Sequence, residues 1–505
     1  MPDYYTKLNG DIDRRSPQNE GELSSPVLRE NWLARDVILK KPRGTEKAIT
    51  TTLDDIPRWL GRYYTVETGN VSPKSFTYTQ DGQLWVIDDL AKTATSIKSN
   101  LNTNSYPKHA LFKTSNQTYL FFIEGEGLYQ YDGNNDNKFE QVTLTDSNGN
   151  SVKPIDVIEH LDRLWVISKT DLFVSKNLEP TNFSDASDSL QIIVGSGRGK
   201  NLRLAKLNDK LYILNTEGIF GVSGDVISAL AATFEVRLVE ERKIIAGGSL
   251  AKVQKALVFM AEDYEIWSFD GYQSQMLSYK FKLKDYVNPT REMLDKAVAT
   301  YYNNYYMLSF VEKGETEPKM EIWWDSLESK IDVVRGRNVS CYLEIDPAEE
   351  NDYLQTGRSD TGSIMNTDRG YNFDGSAIIS KLRTRDITPK KGEMVRFTAF
   401  YPEISPTGNR DIGIAYLLDG RSSNPSGANA NWAQNLRGET ITLGSISVGN
   451  QAQFTDRVQP KINYAKGESI AFYIEDSTLD LRADLSGIRM DFVSKGKSKG
   501  KAVGQ

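Results

Sequence analysis

Between Tyr63 and Gly375 the sequence repeats one unit: a turn containing Asp, Asn or Gly, then a run of four to six aromatic and β-branched residues. Many units pass through a second turn into another such run. The first is Asp81-Gly82-Gln83-Leu84-Trp85-Val86-Ile87, and the second is Tyr119–Ile123 followed by Leu128–Gly133. The third is Leu164–Ile167 with Leu172–Val174, the fourth Leu211–Leu214 with Ile219–Val222, and the fifth Leu257–Met260 with Ile266–Gly271. Tyr305–Leu308 with Ile322–Asp325 makes a sixth, and a fainter seventh centres on Tyr353-Leu354 and Asp360-Thr361-Gly362. Anchors at 84, 119, 164, 211, 257, 305 and 354 are spaced by 35, 45, 47, 46, 48 and 49 residues. A repeat of that length with two or more short strands predicts propeller blades. One small sheet has two apolar faces and is stable only between neighbours, and closing the ring removes the exposed ends. A helical solenoid would need apolar residues at i, i+3 and i+4 over ten or more positions, and these runs stop too soon. Only Val226–Thr233 and Pro289–Leu294 read as short loop helices.

The fold class is therefore all-β, a six- or seven-bladed β-propeller over 56–375. Residues 1–55 are polar and broken by Asn9-Gly10 and Ser16-Pro17. They read as an extended arm laid on the chain's own domain or on a neighbouring subunit. After Gly375 the spacing is lost, and 376–494 read as a β-sandwich. Its clearest strands are Val395–Tyr401, Asp411–Leu418, Ile441–Val448 and Ile470–Glu475, with a hairpin turn at Asp419-Gly420. The polar loop Asp419–Ala433 reads as mobile, and 495–505, with Lys495-Gly-Lys-Ser-Lys-Gly-Lys501, as a flexible basic tail.

Three stretches resemble the propeller proteins in the necks and tails of tailed bacteriophages, notably the nozzle or tail-accessory protein of short-tailed phages. Asn31-Trp32-Leu33-Ala34-Arg35 leading to Leu39-Lys40-Lys41-Pro42-Arg43-Gly44 is similar to the stretch that introduces those propellers, with Arg43 inserted between Pro42 and Gly44. Asp360–Ile364 running to Ser380-Lys381-Leu382-Arg383-Thr384-Arg385-Asp386 resembles their closing blade. Val395-Arg396-Phe397 with Ile414 to Asp419-Gly420 is similar to the sandwich that follows. The resemblance implies a structural virion protein: a ring, usually a hexamer, below the portal and adaptor, that retains and releases DNA and can carry a needle, fibres or spikes. It implies passing contact with DNA without sequence readout, assembly in the host cytoplasm, and no catalytic residues.

The remaining features bound this reading. A net charge of -7 argues against a dedicated nucleic-acid binder and is compatible with an acidic lumen that repels phosphates. The single cysteine, Cys341, allows neither a disulfide framework nor a cysteine zinc site. Met1–Gly10 shows no secretory leader, and no run of 18 apolar residues occurs, so no membrane span is expected.

No catalytic, cofactor or metal site is expected. Gly195-Ser-Gly-Arg-Gly-Lys200 invites a phosphate-loop reading, but Val194 stands five residues before Gly199 and Asn201 follows the lysine. Asp146-Ser-Asn148-Gly-Asn150 has calcium-like spacing, yet Ser151 and Val157 occupy the positions of the required Gly and Glu, so it reads as a hairpin turn. His109 and His160, the only histidines, lack ligand partners at useful spacing. The carboxylate pairs Asp88-Asp89, Glu240-Glu241 and Glu349-Glu350 would point to opposite faces of a strand, unlike the paired acids of a glycosidase. Tyr301-Tyr302, Tyr305-Tyr306 and Trp323-Trp324 could stack on sugars but read more simply as alternating blade packing. A carbohydrate-binding or glycan-degrading propeller is the alternative, followed by a scaffold for protein contacts.

Overall fold

The computed structural model describes the chain apart from 1–2, 17–21, 23, 36–37, 68–69, 186–187, 225–233, 344–353, 406–411, 419–440, 444–453, 456–465, 498–505 and some single positions. Seven antiparallel sheets form the blades of a propeller. Blade 1 runs outwards through Pro57–Glu67, Asn70–Thr79, Leu84–Asp88 and Thr93–Lys98. Blade 2 is Lys108–Lys113, Thr118–Ile123, Leu128–Tyr131 and Glu140–Val142. Blades 3 to 6 begin with inner strands Asp156–His160, Asn201–Leu207, Ala251–Val253 and Val298–Tyr302. Blade 7 comprises Val339–Leu343, Gln355–Arg358 and Ile364–Thr367, and its outer strand is Thr45–Lys47 from the other end of the sequence.

The ring is closed, because each of the seven blade-to-blade interfaces holds its own apolar cluster. Strand period 2 makes this possible, since successive side chains face opposite neighbours. In blade 2, Leu120 and Phe122 enter the cluster with Trp59, Tyr63, Phe76 and Tyr78 of blade 1. Phe121 and Ile123, from the same strand, enter the cluster with Val157, Leu164 and Val166 of blade 3. Trp165 and Ile167 continue the series against Ile213 and Phe220 of blade 4. The last interface joins Cys341, Leu343 and Ile364 of blade 7 to Leu60, Trp85 and Ile87 of blade 1. There Ser340 Oγ donates to the Pro57 carbonyl at 2.5 Å.

Between blades 1 and 2 the rings meet edge-on or tilted, with Trp59–Phe122 centroids 4.7 Å apart and Phe76–Tyr131 5.1 Å apart. Phe122→Ala is expected to cost about 3–5 kcal/mol, because it empties the centre of this cluster. A denaturant midpoint unchanged by that substitution would show that the interface does not carry stability.

Tight hairpins hold inner strands to their neighbours. Leu161-Asp162, Asn208-Asp209 and Asn303-Asn304 each place two successive residues at positive φ, the conformation that matches strand twist in a two-residue turn.

The first 55 residues do not form a separate arm. Asp3–Lys7 pairs with Asp484–Lys497, and Leu33–Arg35 and Ile38–Lys40 join the same sheet with Glu393–Ser405. Leu28–Glu30 lies between the outer strand of blade 6, Lys330–Arg335, and Ser380–Arg383. Blade 6 thereby continues through Ile470–Asp476 and Ile412–Leu418 into a nine-stranded sheet. The sandwich thus takes in Asp3–Lys7, Leu33–Arg35 and Ile38–Lys40 from the N-terminal segment, because its core needs Leu8, Trp32, Ala34 and Leu39 against Phe472, Ile474, Ile488 and Met490.

Charged groups secure the seam. Arg29 is fully buried, 2.5 Å from Asp332, and donates to the Ile331 carbonyl at 2.9 Å. Arg385 reaches Asp13 at 3.1 Å, and buried Lys41 lies 3.7 Å from Asp476. The first phage-like stretch, 31–44, and the end of the second, Ser380–Arg385, lie at these crossovers between propeller and sandwich, while the start of the second belongs to blade 7.

Other expectations need adjustment. Pro289–Leu294 overlaps the helix Arg291–Asp295, whereas Val226–Thr233 falls outside the described residues. The expected basic tail begins within Asp484–Lys497, which extends through Lys497, because the ladder to Glu393–Ser405 pairs Glu393 with Lys497. The Asp419-Gly420 turn and the Asp419–Ala433 loop lie outside the described residues. The inner strands carry Arg58, Arg62, Lys108, Lys113, Arg203, Lys206 and Lys252, and their acids with described side chains are Asp156 and Glu159.

Candidate functional site at the channel mouth

Because every inner strand runs the same way along the axis, their first residues collect on one face. A cavity of about 370 Å³ opens there. Its wall takes Tyr106 and Lys108 from the entry to blade 2, Lys153 from the entry to blade 3, and Lys169 from a turn of blade 3. Lys200 comes from the entry to blade 4, and Arg291 and Asp295 from the short helix before blade 6. Five cationic side chains and one carboxylate thus line it, on a chain that is acidic overall.

The neighbouring acids are already engaged. Asp295 Oδ1 accepts from Arg291 at 2.5 Å, Asp156 is 3.2 Å from Arg203 and accepts from the Leu204 amide at 2.7 Å, and Glu317 bridges Arg58 at 3.0 Å and Lys296 at 2.6 Å. Lys108, ringed by protein but open to the channel, has its ammonium pushed down to about 7, first by burial and then by Arg203. Its neighbour His109 is pushed down to about 4 by the same enclosure, followed by Arg203 and Lys108. Trp59 Nε1 donates to His109 Nδ1 at 2.9 Å, which suits the neutral ring with its proton on Nε2. His160 sits at the far end of its inner strand, where its carbonyl accepts from Trp165 Nε1 at 2.7 Å.

The other sequence candidates are absorbed by local structure. Ser196 donates to the Glu217 carboxylate through its hydroxyl and, at 3.2 Å, its amide. Those bonds hold Glu217 below the usual carboxylate range. The amides that a phosphate would need therefore face an anion of the chain itself. Glu217→Ala should speed amide exchange at Ser196 and Gly199 while hardly moving the thermal midpoint, as exchange mass spectrometry can check.

Asp146 Oδ1 accepts from the Asn148 and Asn150 amides at 2.9 and 2.8 Å, closing a turn around its carboxylate. Asp88 caps the Leu90 and Ala91 amides at 3.0 and 2.8 Å, whereas Asp89 accepts from Ser75 at 2.9 Å. Glu240 accepts from the Arg242 amide at 3.1 Å, and Glu349-Glu350 lie outside the described residues.

Tyr306 packs towards blade 5 and donates to the Ser249 carbonyl at 2.6 Å, while Tyr305 and Trp323 face blade 7 with rings 5.4 Å apart. Among the described residues, no group of three His, Cys, Asp or Glu could hold a metal ion. No helix among them is long and apolar enough to cross a membrane.

These features define a class: a seven-bladed β-propeller closed by an N-terminal strand and woven into a β-sandwich. No family model matches the chain, and no curated protein does. Among solved structures it is similar to BamB from Moraxella catarrhalis, at 11% identity and TM-score 0.36, over 65% of this chain and 97% of that one. It is also similar to BBS1N, solved in complex with ARL6DN, at 10% identity and TM-score 0.39, over 67% of this chain and 97% of that one. A third is the extracellular domain of the one-component system BT4673 from B. thetaiotaomicron, at 10% identity and TM-score 0.40, over 79% and 47%. These likenesses concern fold alone, and the propeller rests on its seven sheets and seven interfaces.

Proposed function

We propose that this chain is a structural virion protein, a ring component of the neck or tail channel of a tailed phage. The observation that carries the reading is the ordered set of phage-like stretches, at 31–44, 360–386 and 395–420. The first stretch and the end of the second lie at the crossovers between propeller and sandwich, so what the resemblance shares is that linkage. A cavity of 370 Å³ is the size of a small-molecule pocket, so duplex DNA would pass between subunits around a ring axis and not through one propeller. Portal and adaptor proteins would bound such a ring on one side, and needle, fibre or spike proteins on the other.

Of the aromatic candidates for sugar stacking, Tyr305, Tyr306 and Trp323 are buried in blade packing, whereas Tyr301, Tyr302 and Trp324 are half-buried at the same interfaces. Electron microscopy of the purified protein, alone and with portal–adaptor complexes, tests the ring. The expected result is a closed ring, usually six-fold, that matches a layer of the virion tail. A protein that stays monomeric with those complexes and is absent from virions would overturn it.

A further inference from the structure

From the channel-mouth cavity we infer that the propeller binds a small soluble polyphosphate, of the size and charge of tripolyphosphate or a nucleoside triphosphate. The inference does not rest on the virion role, and neither reading falls with the other.

Three observations converge. The cavity, about 370 Å³, has the size of a small-molecule site and is too small for a macromolecule. Its four lysines come from four separate segments, the entries to blades 2, 3 and 4 and a turn of blade 3, so they meet only once those blades have stacked. Among the described residues Lys108, Lys169 and Lys200 make no side-chain hydrogen bond or ion pair, while the acids around the mouth are held by Arg203, Arg58, Lys296 and Arg291. Like charges gathered in a partly enclosed space repel one another, and a multivalent anion relieves that repulsion at several points together. Lysines supply point charges that adapt to a phosphate chain, and Tyr106 adds an aromatic wall.

The charge state of Lys108 adds a signature. Its ammonium titrates near 7 in the free protein, and a bound anion would hold the proton on. Binding should therefore take up protons near neutral pH and weaken as pH rises from about 6.5 to 8.5.

The test is calorimetric titration of the full chain with tripolyphosphate near physiological salt, repeated in buffers of different ionisation enthalpy. Saturable binding with proton uptake is expected. The double variant Lys169→Glu/Lys200→Glu should lose at least about tenfold in affinity. Lys113→Glu, at the far end of the blade 2 inner strand, should change it little. Lys169→Gln/Lys200→Gln serves if the charge reversals fail to fold by circular dichroism. No saturable binding by the folded protein, or binding indifferent to these lysines, overturns the proposal. So does a short single-stranded oligonucleotide that binds with the same lysine dependence while tripolyphosphate does not.

Discussion

Deleting residues 1–47 is expected to abolish the soluble folded protein rather than trim it. Blade 7 would lose its outer strand, Thr45–Lys47, and expose the hydrogen-bonding edge of Ile364–Thr367. The sandwich would lose Asp3–Lys7, Leu33–Arg35 and Ile38–Lys40, together with the fully buried Trp32. Trp32→Ala alone should cost about 3–5 kcal/mol, a large part of the net stability of a typical domain. The deletion would also leave Asp332 and Arg385 buried without Arg29 and Asp13. Soluble yield, circular dichroism and thermal melting measure the effect. A truncated chain that melts like the full one would show that these strands decorate the fold and do not close it.

Arg29→Met should destabilise by about 3–5 kcal/mol at pH 7.5, the range for breaking one side of a buried pair. Both Arg29 and Asp332 are fully buried, and the Asp332 carboxylate also accepts from the Ala34 amide at 3.2 and 3.3 Å. Burial raises the Asp332 carboxyl from its ordinary 3.8 to about 6, and Arg29 opposes that rise. With the folded value above the unfolded one, the stability this group contributes is fully present below about 3.8 and is lost as pH rises through about 6. Removing Arg29 pushes the carboxyl higher still and extends the loss upwards. The variant should therefore lie closer to wild type at pH 4.5 than at pH 7.5. Arg29→Met/Asp332→Leu should recover most of the loss, since two well-packed apolar groups can replace a buried pair. Denaturant midpoints at the two pH values decide it, and an equal deficit at both would exclude an electrostatic origin.

The propeller was legible because each blade buries two faces and so repeats its apolar strands. The anchors at 119, 164, 211, 257 and 305 all lie in second strands, and 354 directly precedes one. The short first step of 35 residues arises because Leu84 starts a third strand, blade 1's second strand being Asn70–Thr79. The seventh unit reads faintly because one of its four strands sits some 320 residues earlier in the chain, beyond the reach of any local pattern.

The same distance hid the N-terminal strands. Segments of three residues such as Leu28–Glu30 carry little periodicity, and their pairing is decided by partners far along the chain. The channel-mouth lysines were equally invisible. Each stands alone at the start of an inner strand, just before one or in a turn, where a lysine reads as ordinary solvated surface, and only the stacking of blades 2 to 4 makes them neighbours. Histidines, paired acids and the glycine-rich turn stood out by residue type, yet they serve hairpins and blade contacts.

The pairing of Asp3–Lys7 with Asp484–Lys497 sets a timetable for biosynthesis. At about 5–20 residues per second, the opening strand leaves the ribosome some half a minute or more before its partner exists. Thr45–Lys47 waits about two-thirds as long for Ile364–Thr367. Early blades can stack as they emerge, but the circle must await Ile364–Thr367 and the adjoining lobe the later strand Asp484–Lys497. A ribosome that stalls before Ile364 therefore releases a nascent chain with two open seams, which is the stage at which chaperone protection matters most.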